Sequence, residues 1–381
     1  MAKPTEMGDC AVVDAPRSDC DVLVIGGGQA GLSAAYFLQR FSLGDRYQLL
    51  DHAPGPGGAW QFRWPTLTLD GTNHVHDLPE YGLVEALGHD SGVVAAASAV
   101  PEYFGKYEKR FGLRVHRPVD VTAVSYAGDG FAARLGDGTT VTTRTIINAT
   151  GTWERPFVPH VPGIADFRGR QLHTRDYLGP GEFAGQRVLV VGAGISAVQL
   201  LIEIARRAKD VQTFWCSRTR PVFDPQPFDP EKGRAAVARV EDRVRAGLPP
   251  TSVVSVTGLA LTPTIAAAMD DGILEWRPMF TRITENGVCW DCGLDGPGTT
   301  TLDVDVIFWN TGFRSAIDHL APLRLRGPGG GITMTGRLAT TVAADERVQL
   351  IGYGPSASTI GANRAGREAA RNVAELLKGS A

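Results

Sequence analysis

Two glycine clusters in this chain are spaced to hold phosphate. Gly26, Gly28 and Gly31 close an apolar run in the stretch DVLVIGGGQAG, residues 21–31. In the spacing G-x-G-x-x-G the first glycine permits a tight turn, the second lets backbone amides approach a pyrophosphate, and the third lets a helix pack closely. A helix starting there aims its N-terminal amides at negative charge. Asp51 lies about twenty residues beyond the last of these glycines, at the end of a second apolar run, where its carboxylate can accept from ribose hydroxyls. Gly192, Gly194 and Ala197 repeat the pattern, but the strand that follows ends in Cys216, Ser217 and Arg218 with no acid. An acid there would repel a ribose 2′-phosphate, whereas the Arg218 fork, helped by the Ser217 hydroxyl, can hold it; the alternative is that Arg218 and Arg220 form a solvated surface. One site for a plain ribose and one for a phosphorylated ribose imply FAD at the first and NADPH, favoured over NADH, at the second.

Placing these residues requires strands that end where the glycines begin. Residues 21–25 and 187–191 have strand length and composition, and residues 32–40 and 200–208 carry apolar side chains at helical spacing. Residues 119–126, 130–135 and 139–149 read as a meander inserted in a doubly wound unit, and the proline-rich segment 156–162 reads as a linker. Residues 224–269 break the rhythm with a charged helical stretch at 231–246 and an apolar one at 253–269, a helical insert. Strand character returns at 281, residues 303–311 lead to Gly312, and residues 348–353, Gly354 and 359–378 form a last strand, turn and helix. The expected architecture is α/β, with two Rossmann-like dinucleotide-binding domains and the NADPH domain inserted in the FAD domain. Residues 19–155 and 303–381 are assigned to the FAD domain, 156–302 to the NADPH domain, and 1–18 to a flexible tail.

Composition narrows the partners. The chain has 381 residues, 43% hydrophobic and 21% charged, with a formal net charge of -3. It can fill a core, and it has no basic field to condense on nucleic acid or anionic lipid. Five cysteines are too few and too odd in number for a secreted disulfide framework, so a cytoplasmic setting is expected. No run of apolar residues is long enough to span a bilayer. The expected partner is a small-molecule substrate, and a homodimer is compatible with this reading.

The segment FRGRQLHTRDY, residues 167–177, fits F-x-G-x-x-x-H-x-x-x-Y just before the second glycine cluster. With it the chain resembles the flavin-containing monooxygenases, class B flavoprotein monooxygenases. Gly57, Gly58 and Trp60 are similar to that family's GGxW turn, residues 149–151 to its first ATG strand end, 310–313 to its second, and Gly352 to Pro355 with Thr359 to its closing FAD motif. The resemblance is weak across 61–114 and largely absent across 224–269. It implies cofactor contacts at Gly58, Trp60, Gly151, Gly312, Gly354 and Thr359, the last opening a helix whose amides face the reduced flavin. It implies that NADPH reduces the flavin, that reduced flavin captures oxygen as a hydroperoxide, and that one oxygen atom passes to a small organic substrate. At the segment's end Tyr177 is followed by Leu178, whereas Baeyer-Villiger members typically carry Trp followed by Pro or Asp there, so the resemblance implies transfer to nitrogen or sulfur in preference to insertion beside a ketone. His173 and Tyr177 are candidate catalytic residues in the inter-domain linker, a plain linker hydrogen bond being the favoured role for His173. Asn73, His74 and His76 are candidates beside the flavin, with ordinary loop contacts as the alternative.

Cys289 and Cys292 form C-x-x-C but lie outside the places where dithiol flavoenzymes carry their reactive pair, so they are read as buried or surface thiols, and no metal-ligand spacing accompanies them. Two other functions stay open at this level. One is an NADPH-dependent flavin reductase or oxidase passing electrons to a protein, quinone or oxygen; the other is a flavin-binding redox sensor without turnover.

Overall fold

Short apolar runs closed by glycine become parallel strands, because a strand buried on both faces needs apolar residues throughout. The computed structural model describes residues 15–72, 74–90, 92–225, 230–251, 258–291 and 298–379. In the first sheet the strand Asp19–Ile25 is central, parallel to Tyr47–Leu50 on one side and Thr140–Asn148 on the other. Asp345–Leu350 pairs in parallel beyond Thr140–Asn148, and Val115–His116 beyond Tyr47–Leu50. The expected meander is present: Val121–Ala127 and Gly130–Leu135 form an antiparallel hairpin joined to Thr140–Asn148. Val22 and Val24 pack on one face against the helices Gln29–Arg40, Ala96–Phe111 and Thr359–Gly379, while Leu23 and Ile25 pack on the other with the hairpin. That is the period-two alternation of a pleated strand.

The second sheet has five parallel strands in the order Trp276–Pro278, Gln212–Ser217, Arg187–Val191, Val306–Trp309 and Arg170–His173. Its Val188 and Val190 face the helix Ile195–Arg207. Leu189 and Val191 face a small antiparallel sheet of Arg282–Thr284, Gly287–Trp290 and Thr300–Asp303.

Three boundaries differ from expectation. The chain does not return to the first domain at 303: Val306–Trp309 sits between two strands of the second sheet, and its apolar side chains, VIFW, suit a central position in either sheet. Residues 15–18 are not loose. The Arg17 amide donates to Gln48 Oε1 at 2.7 Å, and Ser18 O accepts from the Thr142 amide at 2.8 Å; residues 1–14 lie outside the described residues. In the insert, Pro230–Arg245 is helical as expected; of the apolar stretch, residues 253–257 lie outside the described residues, and among the described ones a two-residue strand, Leu259–Ala260, paired with Phe223–Asp224, precedes the helix Pro263–Asp270. No helix among the described residues is long and apolar enough to cross a membrane.

The returning segment folds over the C-terminal ends of the first sheet. His319 Nε2 lies 2.7 Å from Asn148 Oδ1, and Thr150 Oγ1 donates to Ala316 O at 2.5 Å. Burial pushes the His319 imidazole down to about 4, against ~6.5 in an unfolded chain. Between those values the unfolded state binds the extra proton, so this histidine's contribution is complete above ~6.5 and is lost as pH falls toward 4, by about 3 kcal/mol in all. Thermal unfolding followed from neutral pH to about pH 4 should show a smaller drop in melting temperature for His319→Gln than for the wild type. Parallel curves would mean that His319 titrates normally in the folded state.

Candidate functional site

The first glycine turn is held by sterics. Gly26 has φ +104, and a Cβ on it would fall 2.6 Å from Ala149 O; a Cβ on Gly31 would fall 1.9 Å from the Gly26 carbonyl oxygen. Gly28 differs, since its Cβ would enter open space whose nearest atom is Gly58 Cα at 3.8 Å. Gly58, at φ +51, faces it from the turn Gly58–Phe62. The gap between them is a cradle that any side chain would fill, as a closely approaching pyrophosphate requires. Gly151 and Gly352 meet on the same side of the sheet, a Cβ on Gly352 lying 3.7 Å from Gly151 Cα. Gly354 has φ +56 and opens a short 3-10 turn.

His74, His76 and Thr359 come together through their backbones. Thr359 Oγ1 donates to His74 O at 3.2 Å and accepts from the His76 amide at 3.3 Å. Gln29 Nε2 donates to His76 O and to Asn363 Oδ1, both at 2.9 Å, which leaves Gln29 Oε1 buried without a donor. That orphaned acceptor beside Gly28 fits a bound group with an N–H or O–H. The His74 and His76 rings meet edge to face at 4.5 Å, and burial, followed by the neighbouring His74, lowers the His76 pKa. Asn73 lies outside the described residues. The sequence reading missed Gln29, although its place between two fingerprint glycines was a usable signal.

Asp51 is buried where the second strand ends, beside the glycine turn, and belongs to a charge network with no counterpart in the sequence reading. Arg117 Nε donates to Asp51 Oδ2 at 2.7 Å, and its two Nη atoms pair with both oxygens of Glu108 at 2.8 Å. Burial pulls the Arg117 pKa down, but Glu108 and Asp51 more than reverse this; burial raises the Glu108 carboxyl against the pull of Arg117. Arg117 thus fixes the Asp51 carboxylate at the end of the second strand. Nothing local marks it, since Asp51 is 66 residues from Arg117.

At the second turn a Cβ on Gly192 would lie 2.2 Å from Asn310 O, whereas one on Gly194 would meet nothing within 4 Å. Ala197 is fully buried in the helix Ile195–Arg207. Arg218 is exposed and makes no ion pair among the described residues. Ser217 is otherwise engaged: its hydroxyl donates to Thr219 O and accepts from Trp276 Nε1, both at 2.8 Å. The expected help from Ser217 is therefore corrected, because its one hydroxyl proton is given to the Thr219 carbonyl and a phosphate can only accept.

The linker bears directly on the turn that follows the strand Val306–Trp309. His173 Nε2 lies 3.0 Å from Gly312 O, and its Nδ1 accepts from the Arg175 amide at 3.3 Å. These partners require the neutral Nε2–H tautomer, and burial lowers the pKa in the same sense. With both nitrogens committed to backbone, the linker bond is the role the geometry supports. Tyr177 is buried in the second core, stacked with Phe183 and Phe308 at 5.9 and 5.7 Å, with Trp64 edge-on at 6.5 Å. It packs the linker, and its hydroxyl is buried without a hydrogen-bond partner. Gly169 is needed because a Cβ there would lie 2.5 Å from Asp305 O.

Residues just past the turn Gly58–Phe62 cross to the second domain. Thr66 Oγ1 donates to Glu203 Oε2 at 3.0 Å, Gln199 Nε2 donates to Gly71 O at 2.9 Å, and Trp64 and Leu67 join the core of the second domain. The sequence reading had nothing to say there. Cys289 is buried in the small antiparallel sheet, and Cys292 lies outside the described residues.

The profile of the family described as pyridine nucleotide-disulphide oxidoreductase matches residues 23–227. A flavin-containing monooxygenase from Stenotrophomonas maltophilia superposes with a TM-score of 0.77 at 33% identity, covering 95% of this chain and 100% of that one. Among curated relatives, an uncharacterized oxidoreductase from Geobacillus kaustophilus is 29% identical over 185 residues, 49% of this chain and 51% of the relative. Baeyer-Villiger monooxygenase 4 from Dietzia sp. is 30% identical over 225 residues, 55% of this chain and 36% of the relative. The match thus spans about half the length of the first curated relative and about a third of the second.

Removing Arg117 would strand two carboxylates that are almost fully buried, with side-chain exposures of 4% for Asp51 and 13% for Glu108. Arg117→Met should cost about 3–5 kcal/mol of stability, read as a lower denaturation midpoint. A variant as stable as the wild type would show that Arg117 is not what holds Asp51.

Proposed function

The chain belongs to the pyridine nucleotide-disulphide oxidoreductase family and is an oxidoreductase of flavin-monooxygenase type, and from that premise we propose that it is a FAD- and NADPH-dependent monooxygenase inserting one oxygen atom at nitrogen or sulfur of a small organic substrate. The observation that carries this reading is the linker's grip on the cleft: His173 holds Gly312 O, and Phe313 beside it stacks on Trp153, two residues past Gly151. FAD reduced by NADPH supplies the activation of dioxygen. Everything else falls on side chains and backbone of this chain.

Gly26, Gly28 and the helix Gln29–Arg40 present amides to the flavin nucleotide's pyrophosphate, with Asp51 turned to its ribose. Gly58, Trp60, Gly151 and Gly354 line the approach, and the helix opened by Thr359 places positive amide dipoles at its inner end. Gly192, Gly194 and the buried Ala197 serve the coenzyme in the same way, and Arg218 takes its 2′-phosphate. His173, kept neutral and tied to backbone, positions the two domains and moves no proton. Tight closure matters, because water in the cleft diverts reducing equivalents to hydrogen peroxide. A dithiol route has little support: Cys216 and Cys289 are buried, and burial raises the Cys216 thiol far out of the reactive range.

Arg218→Ala should weaken NADPH binding by about 10- to 150-fold through loss of charge-assisted hydrogen bonds, and leave NADH binding nearly unchanged; equal effects on both coenzymes would remove Arg218 from the phosphate site. His173→Ala should keep its flavin but release more hydrogen peroxide per NADPH consumed, measured beside oxygenated product from a thioether and amine panel. Wild-type protein that forms no oxygenated product yet reduces quinones rapidly would be a reductase.

A further inference from the structure

Arg63 carries a charge for which the described residues supply no counterion. It follows the turn Gly58–Phe62, and its guanidinium lies 4.5 Å from the Trp153 ring centre and 5.5 Å from that of Trp60. Its Nε is buried without a hydrogen-bond partner, and so is the indole Nε1 of Trp153. Among the described residues no carboxylate pairs with it. Burial pulls the Arg63 pKa down to about 10, so it is still a cation at neutral pH. Arg117, by contrast, is buried with two carboxylates around it. A cation with a desolvated, unpaired N–H is costly to keep, and the second orphaned donor belongs to the same indole that the guanidinium covers, so both call for an acceptor that the described residues do not supply.

The location says which anion. Trp153 lies just past the C-terminal end of the strand Thr140–Asn148, and it stacks at 4.9 Å and 24° on Phe313, just past the end of Val306–Trp309. The C-terminal ends of the two parallel sheets meet at this ring pair, and ligands of such sheets bind outside those ends. The phosphates of the two nucleotides have anchors of their own, at Gly28, Gly194 and Arg218. What remains for Arg63 is the molecule brought between them.

We propose that Arg63, together with the Trp153 indole N–H, anchors a carboxylate carried by the oxygen-accepting substrate, an inference that rests on the monooxygenase reading above. A guanidinium held against aromatic faces keeps its N–H edge for a planar two-oxygen acceptor. The substrate class is then a small organic acid bearing the nucleophilic sulfur or nitrogen. Simple cationic amines are disfavoured, because they would meet the Arg63 charge in a site of low dielectric.

The test compares acids with their primary amides, which match in shape and lack the charge. Purified holoenzyme with NADP bound is titrated with 3-(methylthio)propanoate, (phenylthio)acetate and the two amides, following flavin absorbance and tryptophan fluorescence. The acids should bind about tenfold or more tightly than the amides. Arg63→Met should abolish that preference, Arg63→Lys should restore part of it, and Trp153→Phe, which keeps the ring and removes only the N–H, should reduce it. Equal binding of acid and amide by the wild type, or binding of neither, overturns the proposal. So does an Arg63→Met protein that loses NADP affinity while keeping the acid preference, for Arg63 would then serve the coenzyme. The wild-type comparison stands even if Arg63→Met does not fold. Acid preference without oxygenated product would leave the subsite standing and sink the monooxygenase reading; product without acid preference would do the reverse.

Discussion

A methyl group at residue 31 would collide with the Gly26 carbonyl oxygen at 1.9 Å, and much of the first domain follows from its absence. Without it the helix Gln29–Arg40 packs directly on the turn that precedes it, so its first amides face the Gly28 cradle and Gln29 enters the cleft. The C-terminal helix approaches as closely: a Cβ on Gly366 would lie 2.9 Å from the Ala34 amide nitrogen. That contact carries Thr359 and Asn363 to the same mouth, where they hold residues 74–77 through backbone bonds. Two close helix approaches thus bring together residues more than 280 positions apart in the chain.

The two domains are coupled by more than the linker. His173 and Phe313 tie it to the second strand end, while Thr66, Gly71 and Trp64 reach from the first domain onto the second domain's helix. The crossing segment begins immediately after the Gly58–Phe62 turn that faces Gly28. A change at the first glycine turn therefore has a short mechanical path to the second domain. The two buried arginines divide the electrostatics in a similar way. Arg117 is neutralised within the fold and sets the position of Asp51, whereas Arg63 is stacked on indoles with its charge unspent.

Composition and spacing were enough for the α/β class, both glycine turns, the meander and the place of Asp51 at the end of the second strand, because each rests on local rules: short apolar runs, glycine at turns, and a fixed distance from turn to strand end. Local rules also explain the errors. The run at 306–309 is apolar on both faces and fits either sheet, so only strand pairing could assign it to the second. Ser217 has the right chemistry at the right offset, but its one proton goes to the Thr219 carbonyl while its oxygen accepts from the indole of Trp276, 59 residues away. The Arg117 network, the crossing contacts of residues 64–71 and the unpaired charge of Arg63 depend on which distant side chains meet or fail to meet, and on how much water remains between them. Burial and pairing are properties of the assembled chain, so they were decided by the tertiary structure alone.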